Sequence, residues 1–362
     1  MTLTARFSMP STPRIPSAEN PSAAGRGTAP DATAMMSPEL FILRELLEHE
    51  PAFVSGNLLA GKLGMSRVGV WMHMGKLRDQ GFELEAVRSR GYRLVRWPAS
   101  LNPLLVQAHL KPPTRQLDIL CLPEVDSTND EAERQLASGR ATPFVVLARR
   151  QTLGRGRLGR VWHSADNGNL YVSFVFRPHL EPGRMQPFTL WMGANLCELV
   201  ANFCHLEPGI KWPNDLYFEG RKLGGMLTEA RIDSDQIRDL VFGLGLNVNS
   251  PLAALPAELA RLATTLADCT GHPLDLNRLT AAIIGRVLSA YERFIEDGYR
   301  DTFADLWNRF DLLRGRPVTL VQGSRRITGV AGGIDDEGSL LIRGENGRPQ
   351  RFHAGEVTLE KS

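Results

Sequence analysis

No stretch of the 362-residue chain approaches the roughly 20 apolar residues needed to span a bilayer, so no segment reads as a transmembrane helix. Cysteine is scarce. Cys121, Cys197, Cys204 and Cys269 have neither the density of a disulfide framework nor the paired spacing of a zinc site, and they read as reduced core thiols of a cytoplasmic protein. Charge of one sign is also lacking. Lys and Arg number 42 and Asp and Glu 40, a formal charge of +2, so any contact with nucleic acid must come from a local patch. There is no Gly-Lys-Ser/Thr of a Walker loop, and no His-Arg-Asp or Asp-Phe-Gly of a protein kinase. What is present, a hydrophobic share of 43%, is ample for packed cores in two or three domains.

Residues 1–36 are rich in Pro, Ser, Ala and Thr without hydrophobic period, and are expected to form a disordered tail. They contain no continuous apolar segment of a secretory signal. Their Arg and Ser content faintly suggests a transit peptide, and Met35 or Met36 could equally begin the folded part. Residues 37–98 read as a winged helix-turn-helix. A leucine stripe (Leu40, Leu43, Leu46, Leu47) marks the first helix and Ser55 to Leu63 a second. Gly64-Met65-Ser66 turns the chain, with Ser66 capping a third helix that ends near Gly81. Small Ala60 at the helix crossing, Gly64 at the turn and Val70 behind the third helix complete the pattern. Two strands, Phe82 to Val87 and Gly91 to Val95, flank a basic tip. Ser66, Arg67, His73, Lys76, Arg88 and Arg90 are the expected DNA-contacting residues. Trp71 and Met72 stand where base-reading polar groups are usual.

Residues 99–312 are expected to form a catalytic domain around the stretch 151–162, Gln-Thr-Leu-Gly-Arg-Gly-Arg-Leu-Gly-Arg-Val-Trp, which contains no acid. Gly154, Gly156 and Gly159 permit close backbone approach to a ligand. Arg155, Arg157 and Arg160 supply planar forks for carboxylate or phosphate, and Trp162 offers a flat face. The Gly-x-Gly-x-x-Gly spacing matches a dinucleotide fingerprint, but the next element, Leu170 to Phe176, reads as a strand rather than the required helix. Upstream, Leu101 to Pro113 reads as a connector. Ser127-x-x-Asp130 and Thr128-x-x-Glu131 read as capping boxes, on a helix N-terminus that could also bind a polar head with Ser127, Thr128 and Asn129. Downstream, Lys211-Trp-Pro-Asn-Asp215 and Arg221-Lys-Leu-Gly-Gly225 bring Lys211 and Lys222 to one strand turn, with Gly224-Gly225 permitting close approach, and Val241 to Asn249 ends in amides. Residues 313–362 read as short strands with Gly-rich turns, a small β-barrel.

Taken in order, these motifs resemble those of biotin protein ligases, and the winged helix makes the chain similar to the bifunctional class that also represses biotin-synthesis genes. The similarity runs from about Glu39 to Leu359. It implies an α+β protein with an N-terminal winged helix, a mixed-sheet domain of the biotin/lipoate ligase type and a C-terminal SH3-like barrel. It also implies a two-step reaction. Biotin and ATP form biotinyl-adenylate with Mg2+, and a lysine of a biotin carboxyl carrier protein then takes the biotin. By resemblance, Ser127, Thr128, Asn129, Gln151, Gly154, Arg155, Gly156, Arg157, Trp162, Lys222, Gly224 and Asn247 bind biotin or nucleotide. Arg157, Lys211, Lys222 and Asp215 serve the chemistry, and Asp215 and Asn247 either hold the metal or orient a lysine. Arg149-Arg150 departs from the acid and aromatic common before the glutamine. A ligand-promoted homodimer on operator DNA is a further expectation. The alternatives are a lipoate or octanoate ligase and a ligand-sensing repressor without catalysis.

Overall fold

The computed structural model describes residues 36–164, 168–344 and 347–359. Apart from Met36, the expected disordered tail lies outside the described residues. Helices α1 (Pro38–Glu48), α2 (Gly56–Leu63) and α3 (Arg67–Asp79) each start at a serine. Ser37, Ser55 and Ser66 accept hydrogen bonds from the N–H groups of Leu40, Asn57 and Gly69. Gly64 ends α2 in the left-handed region at φ 61°. Ile42, Leu43, Leu46, Leu59, Val70, Met74 and Leu77 pack into one core, with Ala60 buried among them. The wing is the antiparallel pair β1 (Glu83–Val87) and β2 (Gly91–Arg96). Val54 exchanges two backbone hydrogen bonds with Tyr92, at 2.7 and 2.9 Å. The approach is so close that a Cβ on Gly91, at φ 109°, would stand 2.0 Å from the Val54 carbonyl oxygen.

The expected connector holds a helix, α4 (Pro103–His109), capped by Asn102, whose Oδ1 accepts from Leu105 N–H. Leu105 belongs to the winged-helix core and its neighbour Val106 to the next one. The following elements are β3 (Asp118–Leu122), α5 (Thr128–Ala137), β4 (Phe144–Ala148), β5 (Leu170–Phe176), α6 (Phe188–Cys204), β6 (Gly209–Lys211), β7 (Asp215–Phe218), β8 (Arg221–Asp233) and β9 (Gln236–Leu246). Helices α7 (Ala257–Ala260), α8 (Leu266–Thr270), α9 (Leu276–Ile295) and α10 (Arg300–Phe310) follow. The seven strands form one mixed sheet in the order β3-β4-β5-β9-β8-β7-β6, parallel only between β3 and β4. Strand β5 (Leu-Tyr-Val-Ser-Phe-Val-Phe) is buried on both faces, as a central strand must be.

Alternation along the strands divides the two faces. Phe174 and Phe242 point to the face covered by α6 and α9, where they meet Phe188, Trp191, Ile284 and Phe294. Val146, Val175 and Val241 point to the other face, under Ala132 and Leu136 of α5. Helix α5 covers only part of that second face, and the remainder holds the site described below. At the C-terminus β10 (Pro317–Gln322), β11 (Arg325–Ile334), β12 (Leu340–Arg343), β13 (Pro349–Phe352) and β14 (Glu356–Leu359) form a five-stranded antiparallel sheet in the order β13-β12-β11-β10-β14. Trp212 Nε1 donates to the Gly338 carbonyl at 3.1 Å and ties this small domain to the central one.

Replacing Gly91 by Ala is expected to destabilise the winged helix by at least about 2 kcal/mol, because positive φ and steric overlap with Val54 act together. Denaturant unfolding, with hydrogen exchange at the Val54 and Tyr92 amides, checks this. Unchanged stability would show that the wing does not press on the Val54 backbone.

Candidate functional site

The site begins with a patch of sheet that has no side chains. Gly225 of β8 and Gly245 of β9 are direct partners in register, and Gly243 lies two residues along, on the same face. Into this bare area comes Trp162. A Cβ on Gly245 would stand 2.6 Å from the indole Cε2, and one on Gly225 3.2 Å from its Cζ3. A Cβ on Gly243 would stand 2.3 Å from Asn129 Oδ1. Trp162 Nε1 is buried and has no hydrogen-bond partner among the described residues. Gly224, the glycine expected here, faces the opposite side, toward Leu216 and Leu246. In a strand the two neighbours of the Gly-Gly pair cannot both reach the ligand face.

The Gly/Arg stretch folds over this patch as a small pinched loop. Trp162 N–H donates to Gly154 O and Gly156 N–H to Arg160 O, both at 2.8 Å. Gly154 lies against the Trp162 carbonyl, where a Cβ would stand 2.6 Å away. Arg155 fixes the loop to the sheet. Its guanidinium forms paired hydrogen bonds to Glu229 at 2.8 and 2.9 Å and an ion pair with Asp130 at 2.6 Å. Burial opposes its charge, but Glu229 and Asp130 outweigh that and raise its pKa. Arg155 therefore works here as a staple rather than as a spare cation. Arg160 reaches Glu356 of the C-terminal domain.

Three other cations converge nearby. Arg157 donates to the neutral Asn214 Oδ1 at 3.2 Å and forms no ion pair among the described residues. Burial lowers its pKa, with Asp215 and Glu356 acting the other way. Lys211 likewise has no ion pair among the described residues. Its ammonium lies 5.3 Å from the Tyr217 ring centre, and burial lowers its pKa. Lys222 pairs with Asp215 Oδ1 at 2.8 Å and stands 5.5 Å from the centre of the Trp162 ring. Asn247 is engaged elsewhere. Its Nδ2 donates to Thr264 O at 3.1 Å and its main-chain carbonyl accepts from Leu266 N–H, so it holds the segment that enters α8. Among the described residues no group of three or more His, Cys, Asp and Glu could hold a metal ion.

The polar end of the site is the N-terminus of α5. Neither expected capping box forms, for Ser127 makes no side-chain cap hydrogen bond and the Thr128 N–H and hydroxyl turn to another partner. Gln151 Oε1 accepts instead from Thr128 N–H at 2.8 Å and from its hydroxyl at 3.1 Å. Ser173 Oγ lies 2.8 Å from Thr128 Oγ1 and 2.6 Å from Asn129 Oδ1, and Asn129 Nδ2 donates to Glu229 at 2.7 Å. Ser127, Thr128, Asn129 and Ser173 are all buried. No motif of the sequence singles out Ser173, Gly243 or Glu229. The available signals were a serine inside an apolar strand run and glycines alternating at period 2.

On the winged helix, Ser66 serves as the cap of α3 and Arg67 is exposed beside it. Arg88 and Arg90 sit exposed at the wing tip, with the Arg90 guanidinium 4.2 Å over the Phe53 ring. His73 is turned inward to α1. Its Nδ1 is 2.9 Å from Glu39, which also pairs with Lys76 at 3.0 Å. Burial pushes the Glu39 carboxyl up, but the hydrogen bonds from His73 and Lys76 prevail and hold it at about 2.

Comparison with known proteins agrees with this arrangement. Residues 122–247 match the model of the biotin/lipoate A/B protein ligase family, 39–93 an HTH domain, and 314–359 the biotin protein ligase C terminal domain. The bifunctional ligase/repressor BirA of Bacillus subtilis is 32% identical over 305 residues, covering 83% of this chain and 93% of that protein. Its namesake in Escherichia coli is 31% identical over 313 residues, covering 86% and 94%. A biotin protein ligase from Aquifex aeolicus, solved in complex with biotin and ATP, superposes with a TM-score of 0.58 at 32% identity, covering 68% of this chain and 99% of that one. A helix-turn-helix in front of a ligase domain, with such identity along nearly the whole of two ligase/repressors, shows that this chain belongs to the biotin protein ligase family.

Proposed function

We propose that this chain is an ATP-dependent biotin protein ligase that also acts as a biotin-responsive repressor. The observation that carries the catalytic reading is a pair of half-buried cations, Arg157 and Lys211, without an acidic partner among the described residues, beside a side-chain-free floor with an aromatic ring on it. Burying unpaired charge is costly. An arriving polyphosphate would offset that cost, and ATP supplies one together with a flat base. Trp162, seated in the room that only glycine leaves at Gly225 and Gly245, offers its indole to a stacked base. Biotin's ureido ring, with two donors and one acceptor, suits the hydroxyls and amides of Ser127, Thr128, Asn129 and Gln151.

With both bound, a biotin carboxylate oxygen attacks the α-phosphorus and pyrophosphate leaves. Arg157, Lys211 and Lys222 offset the repulsion between two anions as that bond forms. The carrier lysine's amine then attacks the acyl carbon and AMP leaves. Mg2+ would neutralise phosphate charge when bound, with Asp215 as its protein oxygen, which fits an ion that keeps water and phosphate as most of its ligands. The pinched loop, stapled by Arg155, keeps water from the mixed anhydride between the two steps. The four free thiols suit a cytoplasmic enzyme. Ligand-promoted dimerisation would set two winged helices on a palindromic operator.

Purified protein, ATP, biotin and a biotin carboxyl carrier domain are expected to give a carrier biotinylated on one lysine, by intact mass. No product with a competent carrier would refute ligation. Product with lipoate instead of biotin would make the chain a lipoate ligase, and ligand and DNA binding without pyrophosphate release would make it a sensor. Arg157→Ala is expected to shorten the lifetime of bound biotinyl-adenylate about 10- to 100-fold, the worth of one hydrogen bond to a charged group. An unchanged lifetime in a carrier-free quench assay would remove Arg157 from this role.

A further inference from the structure

Helix α3 shows two stripes. Val70, Met74 and Leu77 are buried in the winged-helix core. Val68, Trp71, Met72 and Gly75 follow the spacing i, i+3, i+4, i+7 and share the other face. Val68 is 68% exposed, Trp71 62% and Met72 55%. A recognition helix that reads bases by hydrogen bonding carries Arg, Asn, Gln or Lys at such places. Here the polar candidates are drawn aside, since His73 and Lys76 both pair with Glu39 of α1. Gly75 has no internal reason to be glycine. A Cβ there would meet nothing within 4 Å, although glycine weakens a helix interior relative to alanine. Its benefit must come from something that approaches the helix from outside.

We propose that this face of α3 reads thymine methyl groups in the major groove, so that the operator half-site is selected by apolar contact rather than by paired hydrogen bonds. The proposal rests on the repressor reading above and specifies its chemistry. The charge around the stripe selects DNA over an apolar protein surface. Residues 56–78 contain no acid, and Arg67 and Arg78 on α3 and Arg88 and Arg90 on the wing are exposed. Cations thus border the stripe, as phosphates border the floor of a groove. Among the four base pairs, the C5-methyl of thymine is the apolar group displayed there. Gly75, without a side chain, lets the helix axis approach the base edges, with Trp71 and Met72 lying along them.

The test uses the full-length protein with biotin and ATP to select duplexes from a random-sequence library. Each thymine of the recovered half-site is then replaced singly by deoxyuridine, which removes the methyl and leaves every hydrogen-bonding group. Affinities are read by fluorescence anisotropy at one salt concentration. At least one replacement is expected to weaken binding about fourfold, the worth of one buried methyl. In Met72→Ala or Trp71→Ala that penalty is expected to vanish at one position. Should a variant lose all binding, the deoxyuridine series on the unaltered protein still decides. If every deoxyuridine duplex binds as tightly as its parent, methyl reading is wrong while the repressor reading stands. If no duplex is retained by protein that still ligates biotin, the repressor reading itself fails.

Discussion

The contact of one indole ring with two glycines governs the ligase site. Trp162 can lie on the sheet only because Gly225 and Gly245 face each other across β8 and β9 and neither carries a Cβ. That contact brings the end of the Gly/Arg stretch down onto the strands. The Gly154–Trp162 hydrogen bond then pinches the loop, and Arg155 reaches Glu229 and Asp130. With the loop down, Arg157 is placed against Asn214 beside Lys211 and Lys222. Dispersion and close packing set the geometry, and electrostatics then acts within it.

Much of this was legible in the sequence, because the signals were local. Serine caps, Gly64 and the leucine stripe define the winged helix within some sixty residues of chain, at distances where period and turn chemistry suffice. The ordered motifs between Gln151 and Asn249 come together in the fold around Trp162. What escaped depends on pairing across the sheet. Gly225 rather than Gly224 faces Trp162, which follows from strand parity once the register with β9 is known. Ser173 meets Thr128 and Asn129 because β5 pairs with β9 beneath the start of α5. Glu229 takes up the charge of Arg155 from 74 residues away. The capping box at Ser127 is pre-empted locally, where Asp126 Oδ1 takes the Ser127 N–H, and that at Thr128 fails for the same reason as the rest. Gln151 competes for the Thr128 N–H, and only the fold brings it there. Helix α4 looks like a connector in the sequence because it is short and flanked by prolines, and its cap, Asn102, is held by Asn277 from 175 residues away.

The ligase and helix-turn-helix halves share more than a peptide link. Asn249, at the end of the Asn-Val-Asn motif, exchanges two hydrogen bonds with the backbone of Leu274. The next residue, Asp275, caps α9 and accepts from Trp97 Nε1 at 3.0 Å. Asn277 accepts from Asn102 N–H and donates to the carbonyls of Pro98 and Ser100. Asn102 and Asn277 are buried in this chain of hydrogen bonds, and polar groups so held specify one arrangement of the two halves. The strand that floors the Trp162 side of the site therefore continues, bond by bond, into the segment that carries the winged helix.

The glycine floor is tested most directly by hydrogen–deuterium exchange on Gly245→Ala, with biotin and ATP present. The methyl would stand 2.6 Å from the Trp162 ring and cannot be accommodated without moving it. The account predicts that the Gly156 and Trp162 amides, whose hydrogen bonds exist only in the pinched loop, lose their protection while the amides of β5 keep theirs. Equal protection of the loop in the altered and unaltered proteins would contradict it.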